Sequence, residues 1–124
     1  MTLNEYQEKA MQTCMPSCEN ISYMLLNLVG EVGEFSGKIA KSVRKNNITI
    51  GGVYFPNDLH YRCQKEEKGA LNTELMYEAG DILWQLSGLC NVMGWKLEDI
   101  ANMNIEKLQS RKDRGVIDGN GDYR

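Results

Sequence analysis

The chain is poor in the residues that would commit it to several common chemistries. It has a single histidine in 124 residues, which removes the Glu-x-x-His pattern of di-iron bundles, where each of two helices must carry one. Basic residues are not in excess: 14 Lys and Arg against 17 Asp and Glu give a net charge of −3. No basic stripe therefore tracks a phosphate backbone, and duplex DNA or RNA is set aside as a partner. No apolar run approaches the roughly twenty residues of a membrane span. The opening "MTLNEYQEKA" lacks the charged-then-apolar pattern of a signal peptide. These absences predict a cytoplasmic protein, and its four cysteines are then expected to be reduced thiols.

What is present suits an ordinary soluble domain, 42% apolar and 25% charged. At this length residues 1–124 are expected to form one domain with one core. Four helical segments can be read. The first covers residues 3–14 and stops near Pro16, which disfavours a helical residue before it. Ser17 offers an N-cap for a second helix over about 19–44. A third is expected over about 70–93, closed by Gly94, and a fourth from Leu97 to about Lys112, with Glu98 and Asp99 in its first turn. Between the second and third, residues 46–67 contain "ITIGGVYF", β-branched and aromatic around Gly51-Gly52, which predicts a hairpin-like insertion. The tail from 115 to 124 reads as irregular.

Placing side chains at about 100° per residue gives the second helix one narrow polar stripe of Asn27, Glu31, Glu34 and Lys38. Leu25, Leu28, Val29, Val32, Phe35, Ile39 and Val43 cover the opposite side, and Gly30, Gly33 and Gly37 line the edge beside the acids. Each helical glycine costs about 1 kcal/mol relative to alanine, so the three together predict close backbone approach by another helix or a ligand. The third helix repeats the arrangement with Glu74, Glu78, Asp81 and Gln85. Carboxylates converging between two packed helices repel one another and would take up protons without compensation. A hard divalent cation, magnesium or manganese, resolves the conflict with all-oxygen ligation. The competing reading of each stripe is a solvated face.

Cys14, Cys18, His60 and Cys63 could alternatively form a zinc set of three cysteines and one histidine. That would make the chain a non-catalytic helical interaction domain. On the fourth helix Asn104, Lys107 and Arg111 share a stripe; Lys and Arg are donors to phosphate oxygens, and a metal-loaded acidic site facing them suits a polyphosphate. Surface exposure is the plain alternative for these three.

"LVGEVGE" with "EAGDILW" on successive helices, and the later "NIEKLQSR", resemble the MazG-like all-α nucleoside triphosphate pyrophosphohydrolases, relatives of dimeric dUTPases and dCTP pyrophosphatases. The resemblance covers most of residues 19–115 and extends to "EYQ" and "GDYR". It implies a four-helix bundle completed by oligomerisation, a homodimer or homotetramer. It also implies hydrolysis of a nucleoside triphosphate between the α and β phosphates, in keeping with nucleotide-pool housecleaning. Glu31, Glu34, Glu78 and Asp81 match the family's magnesium ligands, and Lys107, Arg111 and Asn104 its phosphate-contacting and nearby polar positions. Lys38 is a further candidate for substrate binding. One carboxylate, Glu34, with Glu31 as the other candidate, would orient or deprotonate the attacking water.

Two features depart from the pattern. Relatives that hold a pyrimidine base often place an aromatic residue where this chain has Gln85, and the segment 46–67 is longer than in compact relatives. Trp84, Trp95 and Tyr54 could stack on a base. A related enzyme acting on a modified nucleotide such as phosphoribosyl-ATP is a further alternative. Closure of Asp122 and Arg124 of "GDYR" over the site is left open.

Overall fold

The computed structural model describes residues 1–45, 48–49, 62–63 and 65–120. The class expected from the sequence is the one observed. Four helices carry the fold: α1 Leu3–Met11, α2 Ile21–Arg44, α3 Lys65–Met93 and α4 Leu97–Asp113, with a 3-10 turn at Pro16–Cys18. Between α2 and α3 two short strands, β1 Ile48–Thr49 and β2 Arg62–Cys63, pair antiparallel, Ile48 with Cys63 and Thr49 with Arg62. The ladder thus joins the two ends of the insertion, and a turn at Gly51-Gly52 lies outside the described residues. No helix among the described residues is long and apolar enough to cross a membrane.

Helix ends differ from expectation for local reasons. Ser17 is not the cap of α2: Pro16 pre-sets the first residue of the 3-10 turn that contains it, and α2 starts four residues later, at Ile21. α1 ends at Met11, where Thr13 turns back to the Ala10 carbonyl through both its N–H, 3.0 Å, and its hydroxyl, 2.7 Å. α3 begins at Lys65, inside the expected insertion, because "KEEK" is made of good helix formers. At its own start α1 carries a capping box: the Glu5 N–H donates to Thr2 Oγ1 at 3.1 Å, and Glu5 Oε2 accepts from the Thr2 N–H at 2.6 Å.

The chain forms two compact units. One comprises Met1–Ile21 and Ser87–Arg124; its buried residues include Ala10, Ser87, Cys90, Leu97 and Arg111. α3 ends there on Gly94, whose φ of +71° is the left-handed conformation that favours glycine. Its N–H bonds the Asn91 carbonyl at 3.1 Å while the Trp95 N–H reaches Cys90 at 2.8 Å, the paired closure of a Schellman turn. Gly115 closes α4 in the same way, with φ +66° and bonds of 3.0 Å from Gly115 to Lys112 and from Val116 to Arg111. The start of α4 lacks a capping side chain of its own, and α1 supplies one. Gln7 accepts from the Leu97 N–H at 2.8 Å and donates to the Trp95 carbonyl at 3.0 Å, while Asn4 accepts from the Glu98 N–H at 3.2 Å.

The other unit, Ser22–Leu86, contains most of α2, the strand pair and the greater part of α3. Among its described residues Met24, Leu71, Glu78 and Gln85 are buried, two of them polar. The apolar side of α2 divides. Leu28, Phe35 and Ile39 are half-buried, whereas Leu25, Val29, Val32 and Val43 are exposed. Among the described residues nothing packs closely against Gly33 or Gly37. A Cβ on Gly33 or Gly37 would meet open space, and one on Gly30 only the Asn27 side chain at 3.6 Å.

Candidate metal centre

α2 and α3 place their acidic stripes together within the Ser22–Leu86 unit. One carboxylate oxygen each from Glu31, Glu78 and Asp81 lies within 4.8 Å of the other two. Three and four residues are the separations that put helical side chains on one face, so Glu78 and Asp81 of α3 act as a pair toward Glu31 of α2. Burial is graded across the cluster: Glu78 is buried, Glu31 half-buried and Asp81 exposed.

Electrostatics register the crowding. Burial raises the Glu31 carboxyl above its ordinary range, and repulsion from Asp81, Glu34 and Glu78 adds to this. A hydrogen bond from Asn27 Nδ2 to Glu31 Oε1, 2.9 Å long, partly offsets these effects. Glu34 stands outside the group of three and is exposed, yet its charge is felt by Glu31. All four predicted carboxylates are therefore neighbours, with three of them at coordinating range of a common point.

Lys38 brings a cation of the chain itself to this cluster. Lys38 Nζ lies 3.3 Å from Glu78 Oε1 and 3.7 Å from Glu74 Oε2. The hydrogen bond to Glu78 is the main reason its ammonium is held above the usual lysine range. The second oxygen, Glu78 Oε2, is buried with no hydrogen-bond partner. A buried carboxylate oxygen without a donor is costly, and a hard cation meets the need. The donor set, oxygen throughout, suits Mg²⁺ or Mn²⁺ and not a thiolate-selecting metal.

The remaining candidates fall elsewhere. Asn104 and Lys107 are exposed on α4 and Arg111 is buried, all within the unit that contains α1. Gln85 lies one turn beyond Asp81 and is only 2% exposed, its Oε1 without a partner. It therefore stands inside the fold and not on a surface open to a base. Trp84 is half-buried; Trp95 is 46% exposed and lines, with Asn4, Glu8 and Asn91, a cleft of about 330 Å³ in its own unit. Cys14 and Cys18 are free and half-buried. Their suggested zinc partners His60 and Cys63, with Tyr54, Asp122 and Arg124, have side chains outside the described residues. Asn27 and Glu74 were legible as members of the stripes, but their roles, one orienting Glu31 and the other pairing Lys38, depend on contacts that spacing alone does not give.

With this geometry in view, the chain's likenesses can be placed. The family model described as the MazG nucleotide pyrophosphohydrolase domain matches residues 19–116, a span that contains all four carboxylates. The "Gene 37 protein" of Mycobacterium phage L5 is 37% identical over 108 residues, covering 87% of this chain and 80% of that protein. No solved structure matches the chain.

Proposed function

Because the chain belongs to the family of MazG nucleotide pyrophosphohydrolase domains, we propose that it adds water across the bridge between the α and β phosphates of a nucleoside triphosphate. The products are the monophosphate and pyrophosphate. The observation that carries this reading is the approach of three carboxylates from two helices to within 4.8 Å, a repulsive arrangement that a hard divalent cation relieves.

Glu31, Glu78 and Asp81 would hold magnesium, with manganese as a substitute and Glu34 as the fourth carboxylate. When bound, the cation supplies charge neutralisation and alignment of phosphate oxygens. Asn27 fixes the orientation of Glu31 through its hydrogen bond. Glu34, exposed beside the cluster, is the carboxylate assigned to orient the attacking water and accept its proton. Asn104, Lys107 and Arg111 are assigned to the polyphosphate, on their match to the family's positions and on the chemistry of their donors.

The exposed side of α2 is assigned to contact with further copies of the chain. Leu25, Leu26, Val29, Val32 and Val43 are 39% to 76% exposed, and between them lie Gly33, Ser36, Gly37 and Ala40, without a charged side chain. Contiguous apolar surface of this kind marks an interface, and an uncharged helix face can pack on its own copy about a twofold axis.

The test is release of pyrophosphate from a panel of canonical and modified nucleoside triphosphates, with and without magnesium, by the wild type and by Glu34→Gln. Magnesium-dependent turnover that is lost in a folded variant supports the reading and reveals the base. Silence across the panel, with stoichiometric zinc in the purified protein, would overturn it in favour of an interaction domain.

A further inference from the structure

Lys38 occupies an unusual place for a residue expected to bind substrate. Its ammonium is turned to the acids, 3.3 Å from Glu78 Oε1 and 3.7 Å from Glu74 Oε2. Glu78 is thereby engaged on one oxygen by an internal cation and bare on the other, where Oε2 is buried and unpartnered. Glu74 lies outside the group of three that converges at 4.8 Å, so the lysine sits at the rim of the cluster, straddling one member and one outsider.

We propose that Lys38 is a resident counter-ion of the metal-free site. It holds Glu78 while no divalent cation is present, and is displaced toward the substrate's phosphates when one binds. The inference rests on the metal reading of the cluster given above.

The geometry suits an exchange. The Lys38 side chain is 34% exposed and that of Glu74 57%, while that of Glu78 is 11%. The anchor is therefore buried and the cation has an open path outward. A lysine is a compact charge on a flexible four-carbon stem, able to swing without moving α2. Its partner is a carboxylate that a divalent ion would claim through the bare Oε2, and a metal there draws the shared negative charge away from Oε1 while adding two positive charges beside the ammonium. Lys38 and the metal therefore compete for one carboxylate charge. Once displaced, it stands beside a polyphosphate as a donor and links metal loading to substrate capture.

The experiment is titration of the full-length protein with Mn²⁺ alone, without nucleotide, followed by the paramagnetic signal of the free ion. Wild type is compared with Lys38→Met and Lys38→Gln, and with Lys45→Met, which removes the same charge just past the end of α2. The two Lys38 variants are expected to bind Mn²⁺ on the order of fivefold tighter than wild type, a partly exposed ion pair being worth up to about that factor. Lys45→Met should change affinity by less than about twofold, since exposed charges at a distance are screened. The Lys38 variants should also show a raised KM for nucleotide at saturating metal. Unchanged or weaker Mn²⁺ binding in them overturns the proposal, as does equal tightening in Lys45→Met, which would reduce the effect to net charge. If neither wild type nor variants take up Mn²⁺, the metal reading itself fails and this inference fails with it.

Discussion

Gln7 and Glu78 are buried to the same extent, 9% exposed each, and their surroundings treat them in opposite ways. Gln7 is neutral and engaged at both ends of its amide, accepting from Leu97 and donating to Trp95. It closes backbone groups that α3 and α4 leave unpaired at their junction. Glu78 is a carboxylate facing other carboxylates, with one oxygen on Lys38 and the other on nothing. A satisfied buried polar group is explained by the fold; one left unsatisfied among like charges is explained by what it receives. The two regions therefore divide the chain into a corner whose polar groups are satisfied within the fold and a cluster whose carboxylates are left to repel one another, the place of the proposed cation.

The largest effect should come from breaking the second region. Asp81→Asn keeps the shape and removes a charge, so pyrophosphate release should fall on the order of a hundredfold or more, as when a group that stabilises transition-state charge is deleted. Thermal denaturation of the metal-free protein should show no loss of stability, because a repulsive neighbour has gone. A folded variant with wild-type turnover would erase the distinction between the two regions.

Breaking the first region should give the reverse. Gln7→Leu leaves the Leu97 N–H and the Trp95 carbonyl without their partner, at a cost of about 1–3 kcal/mol for buried groups left unpaired. Urea denaturation should report that loss, while Mn²⁺ affinity of the folded fraction stays at the wild-type value. Altered metal binding with undiminished stability would assign Gln7 to the wrong region.

Acidity sharpens the comparison further. Glu31 is held above its ordinary range by burial and by its acidic neighbours, so the folded metal-free chain keeps a proton that the unfolded chain has already released. Stability from this group is therefore lost as pH rises from the ordinary carboxylate value, about 4.3, through the raised folded value. Glu31→Gln should be the more stable protein at neutral pH without metal, and the gap should close as both forms become neutral in acid. A gap that does not depend on pH would mean that repulsion is not what burdens Glu31.

The acidic stripes were legible because helical spacing alone puts Glu31 with Glu34 and Glu78 with Asp81. Gly94 was legible as a stop for the same local reason. Which carboxylates meet, and where Lys38 points, depend on the register of α2 against α3, which no single helix reveals. The caps that Gln7 and Asn4 provide to α4 join residues about ninety positions apart and leave no trace in sequence spacing. Ser17 was misread because a plausible cap residue follows Pro16, and the proline starts a 3-10 turn first. The glycines of α2 were legible as a cost, but spacing does not say what approaches them, and no described atom of the chain does so at Gly33 or Gly37.

Those glycines give the smallest and most discriminating test. A methyl on Gly33 meets no atom of another described element within 4 Å, so in an isolated chain Gly33→Ala should stabilise α2 by up to about 1 kcal/mol through helix propensity. Gly33 borders the exposed stretch containing Val29 and Val32, and if a second copy packs there the same methyl enters a contact shaped for a hydrogen atom. Denaturation at low protein concentration and sedimentation velocity at high concentration separate the two contributions. Greater stability of the dissociated chain together with weaker self-association places Gly33 in the interface. Greater stability with unchanged association, or a wild type that sediments as a monomer throughout, removes that face of α2 from assembly and leaves the helical glycine cost to be offset within the acidic region alone.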